Sequence, residues 1–329
     1  MKIDIDKEQE DLFFFNKEQR DTNRRRMLYE YKKENFPYQQ RLIQNLCCLK
    51  YYEIKFPSYF KTGSLRNDTV ILDCFLPKEF SCLLIILPGL GSGFLQRNLI
   101  KYFGRKLAKN NIGVCILTLP YHYERKPSNL RSGQYFLNLN SRQTLDFFQQ
   151  AVVDVERTVH FWQDYFNLKE FSLMGISLGS IVGIISMAKI KCIKKGILIL
   201  SGGNFFKILW GGLLRFLGKK DCSFKECKVN FQKLSAYREL QKFEDLKNIK
   251  FPKDCMYYEP TVFASLLRDR EILMFNSIFD PIIPFKSAKE LWKALNFPKI
   301  YWFPTEHHFI FIFTFFILSK VKNFLETEA

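Results

Sequence analysis

The sequence predicts an α/β architecture: a mostly parallel sheet covered by helices on both faces, with a helical lid insertion and an N-terminal helical extension. Two observations predict it. Short, continuously apolar runs alternate with longer amphipathic stretches from about residue 51 onward, the pattern of a sheet covered on both sides. Most of these runs stop at turn-forming residues, as Cys82–Leu87 stops at Pro88-Gly89-Leu90-Gly91.

The elements follow in order. Tyr52–Phe56 alternates like a half-buried strand, and Val70–Phe75 is a second strand. Cys82–Leu87 is apolar throughout, and a helix follows from Gln96 to Lys109. Gly113–Leu119 is another buried strand, after which Ser141 is positioned to cap a long amphipathic helix reaching Phe166. Strands at Phe171–Gly175, Gly196–Leu200, Glu271–Phe275 and Ile300–Phe303 complete the sheet. Helices are expected at Ser177–Ile190, Pro284–Leu295 and from residue 308 to about 325. Residues 1–50 are polar and helix-permissive and read as the N-terminal extension; residues 51–329 form the main domain. Between about 203 and 260 the rhythm breaks, and one extra element pair, beginning with the apolar stretch Phe205–Leu217, reads as a lid above the strand ends.

Composition narrows the classes. With 329 residues, 47% of them hydrophobic and 35 of them Phe, the chain has ample material for a core. The formal net charge is +17. Because the basic residues are scattered, the excess reads as a lysine bias over a solvated surface; attraction to an acidic membrane surface is the alternative. No nucleic-acid-binding signature accompanies the short cluster Arg24-Arg25-Arg26. Nine cysteines without a CxxC pair argue against a zinc site or a disulfide framework and suit a reducing compartment, so no metal or cofactor is expected. The first residues lack the apolar segment of a secretory signal, which points to a cytoplasmic protein. The run Phe309–Leu318 is too short to span a bilayer and is expected to form a buried terminal helix, with shallow, peripheral membrane contact left open. Oligomeric state is not legible.

Gly175-Ile176-Ser177-Leu178-Gly179 carries the chemistry. A Gly-x-Ser-x-Gly between a strand and a helix puts a serine hydroxyl on a tight turn, with a helix N-terminus behind it. A serine becomes a nucleophile when a base takes its proton. Of the four histidines, His160 lies inside the long helix, while His307 and His308 follow the last strand. His307 is the expected base, with His308 as the alternative. Asp280, in the loop after the preceding strand, is the expected partner of the imidazole; Glu306 is the rival but is adjacent in sequence to His307. Backbone N–H groups of Leu178 and Leu90 are the expected oxyanion donors.

On these residues the chain resembles the α/β-hydrolase superfamily over about residues 65 to 325. Leu90, Ser177, Asp280 and His307 match its motif positions. The segment Leu119-Pro120-Tyr121-His122-Tyr123-Glu124-Arg125 resembles an esterase-like branch with Pro-Tyr-His and an Arg after the fourth strand. Two positions depart from the pattern: Leu87-Pro88 replaces a common His before the oxyanion glycine, and Thr305-Glu306 replaces a common Gly before the histidine. The resemblance implies hydrolysis of an ester or thioester on a small-molecule or lipid-like substrate. His122 and Arg125 are candidate substrate-binding residues, Arg125 as an anchor for a carboxylate or phosphate or else as a structural bridge to loop carbonyls or Glu124. The competing reading is a non-catalytic binding or scaffold protein of the same fold.

Overall fold

Leu83–Leu87 has no polar side to show water, so as a strand it must be covered on both faces. In the computed structural model, which describes residues 28–46, 48–80, 82–91, 93–216, 222–237 and 240–327, it does so deep inside the sheet. Leu83, Ile85 and Leu87 enter one core, and Leu84 and Ile86 enter the other, as the two-residue period of a strand requires.

The strands are β1 (Gln39–Asn45), β2 (Leu49–Pro57), β3 (Thr69–Pro77), β4 (Leu83–Leu87), β5 (Gly113–Leu117), β6 (Phe171–Ile176), β7 (Ile193–Ile199), β8 (Glu271–Ser277) and β9 (Lys299–Phe303). They pair in the order β1-β2-β3-β5-β4-β6-β7-β8-β9. β1, β2 and β3 run antiparallel to their neighbours; β4 through β9 are parallel. Among the described residues, the helices of seven or more residues are α1 (Phe94–Ala108), α2 (Ser141–Phe166), α3 (Leu178–Lys189), α4 (Phe205–Gly211), α5 (Phe224–Gln232), α6 (Phe285–Ala294) and α7 (Thr314–Glu326). Ile100, Phe103 and Leu107 of α1 share one core with Ile317 and Val321 of α7. α2, α3 and α6 supply the other through residues such as Val152, Val182 and Leu291. The predicted layers are therefore present.

Several local expectations change. The described part of the N-terminal extension is not helical: residues 30–38 are irregular, and β1 follows. Every residue of β1 is exposed, so it exists by pairing with β2 rather than by burying a face. Phe13, Phe14, Phe15 and Met27, read as apolar points of that extension, lie outside the described residues. Leu28 and Tyr29 are buried, and the Tyr29 hydroxyl donates to the Tyr257 carbonyl at 3.0 Å, tying this segment to the insertion. The cap of α2 is Asn140, not Ser141. Asn140 Oδ1 accepts from the Gln143 N–H, and Gln143 Oε1 accepts from the Asn140 N–H, a reciprocal box.

The insertion is larger than one element pair. It contains α4, α5 and several short 3₁₀ turns between Leu234 and Tyr258. Its two ends meet on one buried carboxylate, Glu259, which accepts from the N–H groups of Asn204, Phe205 and Thr261 and from the Thr261 hydroxyl. Burial holds the Glu259 carboxyl above its usual range against those hydrogen bonds.

The expectation for the last helix also changes. Ile310, Ile317 and Val321 bury one side, but much of the rest is exposed. With the 3₁₀ turn His308–Phe313 ahead of it, this helical stretch runs 19 residues and is long and apolar enough to cross a membrane by length and composition.

Candidate active site

A chain of backbone hydrogen bonds aligns the carboxyl ends of the parallel strands. Ser177 N–H donates to Ile199 O of β7, Leu200 N–H to Phe275 O of β8, and Ile278 N–H to Phe303 O of β9. The segments that follow β6, β8 and β9 thereby come to one edge, where such sheets bind ligands.

Ser177 occupies the turn between β6 and α3 with φ 51° and ψ −113°. A non-glycine residue held there stores roughly 1–3 kcal/mol of strain. The flanking glycines are needed for space. A Cβ on Gly175 would lie 2.5 Å from the Gly179 carbonyl oxygen, and one on Gly179 would lie 2.2 Å from the Leu87 carbonyl oxygen. Leu178 is the first residue of α3, so its N–H has no intrahelical partner. The loop after β4 comes alongside: a Cβ on Gly89 would sit 3.5 Å from Ser177 Cβ. Leu90, next in that loop, is half-buried.

Asp280 and His307 meet directly. Asp280 Oδ2 lies 2.6 Å from His307 Nδ1, and both residues are buried. Asp280 Oδ1 accepts the N–H groups of Ile282 and Ile283, each at 2.8 Å. The carboxylate can only accept from the ring, so Nδ1 carries the proton and Nε2 is left as the basic nitrogen. His308 is exposed, its ring centroid 5.2 Å from that of His307. Burial lowers its pKa, with the neighbouring His307 adding to the fall and Asp280 opposing it. Glu306 is exposed, and its carbonyl accepts from the Ser277 hydroxyl. Between the two candidates of each type, the geometry joins His307 with Asp280. Among the described residues no hydrogen bond joins Ser177 Oγ to His307.

The Thr305-Glu306 departure has a backbone explanation. Neither residue has a positive φ, so the turn before His307 does not call for glycine. Thr305 instead holds the loop, its hydroxyl 2.9 Å from Ser277 Oγ and its carbonyl accepting the Phe279 N–H. Sequence reasoning missed Ser277 and Thr305; they are short polar residues 28 positions apart whose relation exists only once β8 and β9 pair.

His122 and Arg125 are corrected. Arg125 is 0% exposed and His122 1%. The guanidinium bonds the carbonyls of Asn67 and Thr118 and the carboxylate of Asp154, so Arg125 is a bridge inside the framework, not a substrate anchor. Glu124 pairs with Arg97 instead. His122 Nδ1 lies 2.8 Å from the Pro120 carbonyl, and Nε2 has no hydrogen-bond partner. The ring sits beneath the loop after β4: a Cβ on Gly133 would lie 2.9 Å from Nε2 and 2.6 Å from the Gly91 nitrogen.

Burial pushes the His122 pKa down to about 4, with Arg125 adding to the fall and the Pro120 carbonyl opposing it. An unfolded histidine takes its proton near pH 6.5, while the folded one stays neutral to about 4. Between these values the unfolded chain binds more protons, so stability present above pH 6.5 is lost as pH falls. The expected loss is about 3 kcal/mol by pH 4. Urea unfolding of the wild type and of His122→Gln at pH 7, 5.5 and 4 checks it; equal slopes for both proteins would contradict the assignment.

No model of a known protein family matches the sequence, and no curated protein matches it. Solved structures do. A PEG-bound cold-adapted esterase from an Arctic intertidal metagenomic library aligns with TM-score 0.57 at 13% identity, over 88% of this chain and 99% of that one. An acetyl xylan esterase from Paenibacillus sp. R4 aligns with TM-score 0.57 at 12% identity, over 87% and 89%. The acylaminoacyl peptidase of Pyrococcus horikoshii aligns with TM-score 0.53 at 14% identity, over 86% of this chain and 43% of that one. With its strand order and strand directions, this likeness gives the chain the α/β-hydrolase fold.

Proposed function

We propose that the protein is a serine hydrolase that cleaves an ester or thioester with a hydrophobic acyl group. Ser177 Oγ attacks the carbonyl carbon while His307 Nε2 takes its proton. The N–H groups of Leu178 and Leu90 hold the oxyanion. His307 then returns the proton to the leaving oxygen or sulfur, leaving an acyl-enzyme on Ser177. Water, deprotonated by the same nitrogen, releases the acid and restores Ser177. Asp280 keeps the His307 proton on Nδ1 and stabilises the imidazolium.

The observation that carries this reading is the 2.6 Å contact between Asp280 and His307 at the same sheet edge as the strained Ser177. Strain of that kind persists only where the surrounding structure imposes it. The esterases among the structural neighbours support an ester substrate. The insertion edge supports an apolar one: Leu213 and Phe216 are exposed there, and the Leu213 N–H bonds the Pro281 carbonyl beside Asp280.

A fluorophosphonate probe is expected to modify the protein on the peptide that contains Ser177, as read by mass spectrometry. Ser177→Ala should remain unlabelled while melting like the parent. Equal labelling of the variant would overturn the reading.

A further inference from the structure

An amphipathic helix in a water-soluble fold turns polar residues outward. The first half of the stretch from His308 to Glu326 turns apolar residues outward as well, while Ser319, Asn323 and Glu326 face water in its second half. Ile310, Ile317 and Val321 face the core, yet Phe309 (57% exposed), Ile312 (71%) and Phe315 (76%) face water, with Phe316 partly exposed beside them. Their spacing of three makes a single stripe. It starts at the residue but one after His307, and two further exposed side chains lie on the other segments next to the site: Phe279 (65%), adjacent to Asp280, and Phe216 (71%), on the insertion edge whose Leu213 N–H meets the Pro281 carbonyl. Scattered exposed apolar residues need no explanation, but a collar on the three segments next to Asp280 and His307 does.

Basic groups accompany the collar. Lys320 Nζ lies over the rings of Phe316 and Tyr301, Lys299 Nζ over Tyr301, and the Arg215 guanidinium 4.4 Å from the centroid of Phe216. Cationic groups held over aromatic rings put positive charge beside the apolar stripe, the pairing by which interfacial helices meet an anionic membrane surface. The net charge of +17 selects the occupant: a second copy of the chain would be repelled, and an anionic bilayer attracted.

We propose that this collar docks the protein on an anionic phospholipid surface, with the stripe Phe309–Phe315 seated at the headgroup boundary and the site mouth turned toward lipid. The proposal rests on the hydrolase reading only for the purpose of docking, which is to take an apolar acyl substrate from the bilayer. Its test is vesicle flotation of the full chain with phosphatidylcholine alone and with added phosphatidylserine, at low and high salt. The wild type is expected to float with the anionic vesicles and to lose binding as salt rises. Ile312→Ser/Phe315→Ser should reduce partition by about tenfold or more, with melting and turnover of a soluble short ester unchanged. Absence of wild-type flotation, or equal flotation of the double variant, overturns the proposal. So does a wild-type dimer in free solution that the double variant converts to monomer, which would assign the stripe to a second copy. If flotation behaves as expected while the soluble ester is not turned over, the docking surface stands and the hydrolase reading falls.

Discussion

An Asp280→Asn variant is expected to fold like the parent and lose roughly 10⁴-fold in kcat on a soluble ester. The size of the effect follows from a single proton. In the native site Asp280 Oδ1 accepts two backbone N–H groups, and Oδ2 accepts from His307 Nδ1. An asparagine placed there keeps its carbonyl on Ile282 and Ile283, since those donors cannot accept. Its amide NH₂ then faces Nδ1 and donates to it. The imidazole proton moves to Nε2, and the nitrogen that should receive the serine proton no longer has a free lone pair. Backbone geometry is untouched, so the melting temperature should change little. Glu306→Gln serves as the control, because Glu306 is exposed and enters the loop through its carbonyl. Initial rates with a p-nitrophenyl ester decide the matter: near-parental activity for Asp280→Asn, or an equal loss for Glu306→Gln, would remove Asp280 from its assigned role.

Asp280, His307 and Ser177 were legible because each belongs to a segment with a local requirement. A strand-to-helix serine needs flanking glycines, and the order Ser, Asp, His, each after a strand, matches the family the chain resembles. What failed to show in the sequence depends on partners far away in the chain. β1 is all exposed and has only Leu42 and Ile43 as apolar residues; its strand state is borrowed from β2, which no periodicity in residues 39–45 announces. Glu259 sits 54 and 55 residues from the amides it binds, so its role in closing the insertion is invisible until both ends meet. The last helix was misread for a different reason. Apolar residues surround it, and such a pattern says that both sides avoid water but not which side the protein itself covers. The sheet covers Ile310, Ile317 and Val321 and leaves Ile312 and Phe315 to something else.

Arg125→Met is expected to destabilise the protein by about 3–5 kcal/mol, the usual consequence of removing one member of a buried ion pair. The guanidinium meets Asp154 at 2.8 Å where both side chains are shut off from solvent. Asp154 also accepts from the Ser58 hydroxyl at 2.6 Å. Burial already pushes the Asp154 carboxyl up, with Arg125 and Ser58 pulling it down. Without the arginine the carboxyl must either remain charged and unpaired or take up a proton on folding. Folding that takes up a proton is opposed by rising pH, so the variant's deficit should grow from pH 5 to pH 8. The damage would spread toward the loop after β4 by a traceable route. Arg125 bonds the Asn67 carbonyl twice, Asn67 Oδ1 accepts the Tyr121 N–H, and the adjacent His122 lies under Gly133 and Gly91. Urea unfolding at the two pH values, combined with kinetics on neutral and anionic short esters, separates this framework role from the alternative of a substrate anchor. A stability change within about 1 kcal/mol together with a raised KM for the anionic ester alone would restore the anchor. A large, pH-dependent loss of stability with KM equal for both esters places Arg125 in the support of the site, one layer beneath the residues that act.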